Sequence, residues 1–106
     1  MHLDLSLHHI PLTAELRELT ERRSRFALGR FAHIIRSCNL RLSDANGPRG
    51  GVDVDAVALV EMIAGGKLVV RGRYTTPREA ISAIIDRVRG VVQRNHQRVV
   101  KSFQGR

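Results

Sequence analysis

The stretch VDVDAVALVEMIAGGKLVVRGRY, residues 52–74, decides the fold because it contains two strands and the turn that joins them. In its first part, residues 52–64, the acidic residues have odd numbers, and Val54, Val60 and Met62 have even numbers. Such alternation is typical of a strand with one buried face. Gly65-Gly66 predicts a tight reversal, since glycine accepts positive φ without steric cost. Residues 67–74 alternate again, so the stretch predicts an antiparallel hairpin.

A further strand is predicted before this hairpin, at residues 34–43, where apolar and polar residues alternate. Its apolar face consists of Ile34, Cys38, Leu40 and Leu42. The segment NGPRGG, residues 46–51, combines glycines with a proline that fixes its own φ, which predicts a second reversal. The three strands therefore form a predicted antiparallel meander with one solvent-exposed face.

The N-terminal part of the chain predicts a strand and then a helix. Leucines alternate with polar residues in HLDLSLH, residues 2–8, and Thr13 is the expected N-cap of a helix over residues 14–32. The core side of this helix is predicted to carry Leu16, Leu19, Phe26, Ala27 and Phe31. Arg23 and Arg30 fall within the same arc at about 100° per residue, so they are expected to lie at the core edge or to be held for a partner.

The segment TPREAISAIIDRVRGVVQRNHQRVV, residues 76–100, predicts a second long helix. Thr76 and Glu79 have the spacing of a capping box, and Pro77 occupies the first helical position. Its apolar stripe is Ile81, Ile84, Ile85, Val88, Val91, Val92 and Val99. One flank of the stripe carries, within about 60°, a set that we call the basic ridge: Arg87, Arg94, Arg98 and Lys101. Without acidic residues at i,i+4 spacing, the ridge favours a binding role over a merely solvated face.

Positive charge dominates the composition of this chain of 106 residues, a length that suits one domain. Eighteen Lys and Arg against ten Asp and Glu give a net charge of +8, which concerns partners rather than fold. Because the aromatic content of 4% is low for a base-stacking surface, nucleic-acid phosphates are the expected target. Sixteen of the basic residues are arginines, whose planar guanidinium suits bidentate phosphate contacts.

The remaining composition favours a cytoplasmic protein without a membrane partner. No segment approaches the roughly 20 apolar residues of a membrane-spanning helix, and the N-terminus shows no secretory or transit signal. The single cysteine excludes an internal disulfide, which agrees with a reducing compartment.

The predicted order is β-α-β-β-β-α, an α+β fold with a four-stranded sheet and two helices packed on one face, as in double-stranded-RNA-binding domains. One domain is expected over residues 1–100, with residues 101–106 as a short basic tail that frays. No internal repeat, linker or low-complexity segment interrupts it.

This order resembles the ribosome hibernation promoting factor and ribosome-associated inhibitor family, in a short and divergent form. The resemblance rests on ELRELTERR in the first helix, RLSDANGPRGGVDVDA across the second and third strands, and AISAIIDRV in the last helix, and covers roughly residues 3–100. It implies a monomeric stress-response factor that binds the small ribosomal subunit in the channel of messenger and transfer RNA and silences idle ribosomes. It also implies no enzymatic activity, no cofactor and no DNA partner.

The resemblance implies that basic residues on both helices contact ribosomal RNA. By position these are Arg22, Arg23, Arg25 and Arg30 of the first helix and Arg87, Arg94, Arg98 and Lys101 of the second. The chain departs from the family where Thr76, Pro77 and Arg78 stand in place of an Asp, an apolar residue and a Tyr, and where Ser82 stands in place of a later Asp. Arg78 adds positive charge and is included among the expected RNA contacts, whereas the contact that the Tyr makes with RNA or in packing is not expected here. Long members carry a second domain that pairs two ribosomes, and this chain ends before it, so ribosome dimerisation by it alone is not expected.

Two features of the meander face solvent. Asp53 and Asp55 share a strand face and are expected to balance Arg41 or Arg71 across strands. Arg49, on the small-residue tip NGPRGG, is expected to reach an RNA phosphate; the alternative is a turn with an incidental arginine.

Other functions find less support in the sequence. His8 and His9 are adjacent and so point apart in a strand, and the other histidines have no acid at ligand spacing, so no metal site is predicted. Cys38 is expected to be a buried packing thiol rather than a nucleophile. Two non-enzymatic alternatives stay open: a double-stranded RNA-binding module, although the last helix lacks a lysine-rich start, and a basic module for an acidic protein.

Overall fold

The computed structural model describes residues 1–45 and 53–104, the last three of them by their backbone alone. The elements are β1 (His2–His8), α1 (Ala14–Leu28), a 3₁₀ turn (Gly29–Phe31), β2 (Ile35–Asp44), β3 (Val54–Met62), β4 (Lys67–Tyr74) and α2 (Pro77–Gln104). The sheet has the order β1-β2-β3-β4, with β1 parallel to β2 and the other pairs antiparallel. This mixed sheet with two helices packed on it confirms the predicted α+β fold.

One face of the sheet forms the core together with the helices. Every second residue of β3 is buried: Val54, Ala56, Ala58, Val60 and Met62. α2 packs against β3 and β4, and the large side chains that it buries completely are Ile81, Ile84, Ile85, Val88 and Val92. Since burial of one such side chain stabilises the fold by about 1.5–3 kcal/mol, this stripe fixes α2 on the sheet.

β2 begins with an irregularity that brings Ile35 into the core. The pairing register with β3 shifts between Ile35 and Ser37, so Ile35 is buried on the same face as Cys38 although their positions differ in parity. Alternation predicts Ile34 on this face, whereas Ile34 is only partly buried at the margin of the core. Strict period-two patterning does not detect the extra residue that a bulge inserts.

Two glycines close the β3–β4 hairpin, as predicted. Gly65 and Gly66 have φ of 103° and 93°, a region that L side chains rarely adopt. Gly65 N–H donates to the Met62 carbonyl at 3.0 Å, and Met62 N–H donates to the Gly66 carbonyl at 3.1 Å. The predicted turn NGPRGG, with Arg49, lies outside the described residues.

α2 begins at the predicted cap, but its capping contacts differ from those of a capping box. Thr76 Oγ1 accepts a hydrogen bond from Glu79 N–H at 3.1 Å. The Glu79 carboxylate accepts hydrogen bonds from the N–H and the hydroxyl of Thr75, rather than from the N–H of Thr76. These two bonds from Thr75 lower the pKa of Glu79 below its usual value.

The C-terminal part of α2 differs from its prediction in two ways. The helix continues to Gln104 and so includes residues 101–104 of the predicted tail. Val99, predicted in the apolar stripe, is 42% exposed, and no described residue of α2 after Val92 is buried. The apolar stripe of α2 therefore extends to Val99 in the sequence, although Val92 is the last described residue of the helix that is buried in the core.

α1 begins at the predicted N-cap, where Thr13 Oγ1 accepts a hydrogen bond from Leu16 N–H at 3.1 Å. The α-helix ends at Leu28, and the 3₁₀ turn Gly29–Phe31 follows, so the predicted helix over residues 14–32 is divided into two parts. Phe31, as predicted, is buried at the end of this turn.

The prediction that Phe26 lies in the core is wrong, because the ring is 83% exposed. The buried face of α1 includes the small residues Thr20, Ser24 and Ala27. Its centre is therefore displaced around the helix from the position that the apolar residues alone predict, and Phe26 lies outside it. Thr20 tolerates burial because its hydroxyl donates to the Leu16 carbonyl at 2.8 Å. Apolar patterning alone therefore misplaces the centre of this face.

Candidate nucleic-acid interface

Two ion pairs join α1 and α2. Arg23 Nη2 donates to both carboxylate oxygens of Asp86, at 2.7 and 2.8 Å, and Arg78 pairs with Glu15. Both pairs link residues that are 63 positions apart, so the two helices run in the same direction. Arg23 is half-buried, which is one of its two predicted placements, and its charge is compensated within the fold.

Net positive charge is concentrated in the later part of each of these parallel helices, after Glu21 in α1 and after Asp86 in α2, and we call these two parts the basic halves. No acidic residue follows Glu21 in α1 or Asp86 in α2, whereas both helices carry arginines beyond those points. Because the helices are parallel, both basic halves lie toward the same end of the helix layer. The negative end of each helix dipole also favours cations there.

An exposed aromatic ring lies between the two basic halves. Phe26 lines two adjacent depressions, which together we call the interhelix groove. Their lining residues are Arg22, Arg23, Phe26, Ala27, Arg30, Asp86 and Arg89. The guanidinium carbon of Arg23 lies 6.0 Å from the centroid of the Phe26 ring. This site offers cations and one apolar ring to an anionic partner.

Sequence reasoning missed two residues of the groove. The apolar pattern places Phe26 in the core, and the basic ridge does not include Arg89. The signal that identifies Arg89 is its position three residues after Asp86, which places both on one face of α2.

The basic ridge lies on another flank of α2. Arg87 donates to the main-chain carbonyl of Arg71 in β4, so this flank faces the edge strand of the sheet. At 100° per residue Arg87 and Arg89 are about 160° apart around the helix, so the ridge and the groove are separate. The other ridge residues are exposed and have no ion-pair partner within the described part of the chain: Arg94, Arg98 and Lys101.

The remaining predicted contact residues are in four situations. Arg22 and Arg30 are exposed and line the groove. Arg25 is exposed but lines neither depression. Within residues 1–45 and 53–104 none of these three has an ion-pair partner. Arg78 is occupied by Glu15, and the structure does not describe Arg49.

The open face of the sheet has its own charge pair. Arg73 Nε donates to Asp55 Oδ1 at 2.8 Å, and the two residues are opposite each other in the register of β3 and β4. This bond raises the pKa of Arg73 above its usual value. The predicted balance of Asp55 by Arg41 or Arg71 is wrong, because the register places both arginines opposite Val57.

The single cysteine and the two adjacent histidines, His8 and His9, differ in how well the sequence predicts their surroundings. Cys38 is fully buried, and burial raises the pKa of its thiol to about 11, as expected of a packing residue. β1 ends at His8, and His9 has a φ of 60°, so the two rings approach to 4.2 Å between centroids; the prediction that they point apart is wrong. Among described residues no cluster of three His, Cys, Asp or Glu could hold a metal, and no helix could cross a membrane.

Comparison with known proteins establishes the fold. No protein-family model and no curated protein sequence matches the chain. A ribosomal subunit interface protein from Coxiella burnetii matches with a TM-score of 0.74 and 14% identity, over 92% of this chain and 99% of that chain. The N-terminal domain of Protein Y from Thermus thermophilus matches with a TM-score of 0.72 and 20% identity, over 89% of this chain and 98% of that chain. The chain therefore shares their β-α-β-β-β-α architecture, the fold that the sequence resemblance implies.

Proposed function

We propose that the protein binds the small ribosomal subunit through the basic surface of α1 and α2 and keeps ribosomes inactive. The observation that carries this proposal is the concentration of exposed arginines at one end of the helix layer. Support comes from the fold, which is shared with a ribosomal subunit interface protein. The proposed role is non-catalytic, needs no cofactor and is exerted by a monomer in the cytoplasm, where ribosomes are.

The charge distribution favours ribosomal RNA as the contacted partner. Between residues 87 and 104, α2 carries five basic residues and no acidic one. Arginine binds phosphate through two parallel hydrogen bonds, so an unpaired arginine surface fits an RNA backbone. Such contacts release counterions and make binding depend steeply on salt.

A simple duplex-binding module fits the structure less well. The start of α2 lacks free positive charge in the described structure, because Arg78 is paired with Glu15 and Glu79 follows it. The exposed basic residues of α2 that have no ion-pair partner in the described structure all follow Asp86: Arg87, Arg89, Arg94, Arg98 and Lys101. The structure therefore favours a partner that contacts the C-terminal ends of both helices over a duplex RNA bound at the N-terminus of α2.

Sucrose-gradient sedimentation of the tagged protein in lysate tests this function. At low magnesium, where ribosomes dissociate, we expect the protein to migrate with the small subunit and not with the large one. At high magnesium it should migrate with small subunits or whole ribosomes, and raised salt should release it. If the protein stays at the top of the gradient in low salt, the proposed function is wrong. Purified protein added to a translation extract should also lower protein synthesis in proportion to its ratio to ribosomes.

A further inference from the structure

The ring of Phe26 is exposed, and packing within the fold does not explain an aromatic residue at this position. It is 83% exposed, whereas every other exposed large hydrophobic residue among those described is at most 52% exposed. The buried side of α1 is occupied by other residues, so the ring contributes little to the core. One exposed apolar side chain needs no explanation by itself, but this ring lies in a groove lined by arginines, and that combination points to a partner that covers it.

The surroundings of the ring indicate the chemistry of that partner. Arg22 and Arg23 share one depression with Phe26, and Arg30 and Arg89 share the other. The one acidic lining residue is Asp86, which already accepts two hydrogen bonds from Arg23. The partner should therefore combine negative charge with a flat apolar part, and a nucleotide has both.

We propose that Phe26 stacks on an unpaired base of ribosomal RNA while Arg22, Arg30 and Arg89, which have no ion-pair partner in the described part of the chain, bind the adjacent phosphates. This inference rests on the proposed function and adds a residue that reads an exposed base. Arg23 stands over the ring at 6.0 Å from its centroid, and the high exposure of Phe26 leaves ring surface available to a base. The low aromatic content does not oppose this, because one ring is enough for one base.

The first test compares variants of Phe26 in binding to purified small ribosomal subunits. Loss of one base–aromatic stack corresponds to roughly a 5- to 150-fold weaker Kd, which we expect for F26A. F26L keeps apolar volume without a π face and should bind as weakly as F26A, whereas F26Y should restore binding. Since no phosphate contact is removed, the slope of log K against log salt should stay unchanged. Melting temperature should change little, because Phe26 is exposed.

The second test uses fluorescence. The chain contains no tryptophan, so F26W introduces a unique indole at the groove. We expect small subunits to quench its emission by stacking, whereas heparin, a polyanion without bases, should bind the arginines without comparable quenching.

The outcomes separate this inference from the function on which it rests. Wild-type protein that does not bind small subunits overturns both. Wild-type binding with an unchanged Kd for F26A overturns the role of Phe26 alone. Full binding by F26L overturns stacking in favour of a simple apolar contact, such as one with a ribosomal protein. Equal quenching by heparin and subunits also overturns stacking.

Discussion

The thiol of Cys38 lies in the middle of the sheet, between Leu3 of β1 and Val60 of β3 in the strand register. It is fully buried, and burial raises its pKa from 9.0 to about 11. Ionisation inside the core is unfavourable, so the native state keeps the thiol proton over a pH range in which the unfolded chain loses it.

This difference predicts a loss of stability in alkaline solution. Below pH 9 the thiol is protonated in both states and its contribution is constant; between the pKa values of 9.0 and about 11, only the unfolded thiol ionises. The free energy of unfolding should therefore fall there by up to about 1.4 kcal/mol per pH unit from this group. Urea unfolding at each pH measures the effect, with C38A, which lacks the thiol, as the control. Identical pH dependence in both proteins would show that burial does not control this thiol.

Residue-scale patterns predict some of the candidate site and miss its centre. The position of Arg23 at the core edge follows from helical period, because period alone fixes its angle on α1. The exposure of Phe26 does not follow, because patterning treats Thr20 and Ser24 as surface residues. Their burial depends on small volume and, for Thr20, on an internal hydrogen bond, which only the packed structure reveals.

At the scale of elements, two glycines show how the same substitution acts differently in a helix and in a turn. A Cβ at Gly90, in the middle of α2, would meet Arg94 Nη1 at 3.4 Å, the end of a flexible side chain. Gly66 has open space within 4 Å but a φ of 93°. Both positions therefore have room for a Cβ atom, and they differ in whether the backbone conformation suits an L side chain.

We expect G90A to stabilise the protein by roughly 0.5–1 kcal/mol, because alanine loses less backbone entropy than glycine when a helix forms. G66A should destabilise it by about 1 kcal/mol or more, because alanine is strained at positive φ. Urea unfolding of both variants at neutral pH measures the two changes. A lower stability for G90A would mean that Arg94 cannot move aside.

Elements are predictable here because each carries its own local signal. Alternation identifies the strands, and a cap followed by a helical period identifies α1 and α2. Their irregular parts depend on contacts far away in the sequence. The register shift in β2 depends on pairing with β3, and the exposure of Val99 depends on where α2 leaves the core, after Val92. The helical period of apolar residues does not predict how far along its length a helix stays in contact with the core.

At the scale of the whole molecule, the two faces differ in how far their positive charge is compensated by acidic residues. The helix layer carries the basic ridge and the arginines of the interhelix groove. The open sheet face also carries cations, Arg41, Lys67 and Arg71, but it has acidic neighbours as well, among them Asp55 and Glu61. A net charge of +8 acts on any polyanion at long range, so contact on one face must be distinguished from general attraction.

Charge reversal on each face makes this distinction. The ridge variant is R94E/R98E/K101E, which leaves out Arg87 because that side chain donates to a carbonyl of β4. The matched control is R41E/K67E/R71E on the sheet face, which has the same net charge. We expect the ridge variant to lose small-subunit binding severely and its log K against log salt slope to become shallower by roughly 2–3 units, since each phosphate contact contributes about 0.7–0.9.

The control variant should bind more weakly through reduced long-range attraction, but it should keep most of the slope. Both variants should stay folded, because exposed charges rarely change stability by more than about 0.5 kcal/mol, and circular dichroism with thermal melting checks this. Equal losses of affinity and slope in the two variants would assign the ridge to general attraction. The phosphate contacts would then have to come from the interhelix groove, where R22E/R30E/R89E, with the same change in charge, provides the corresponding test.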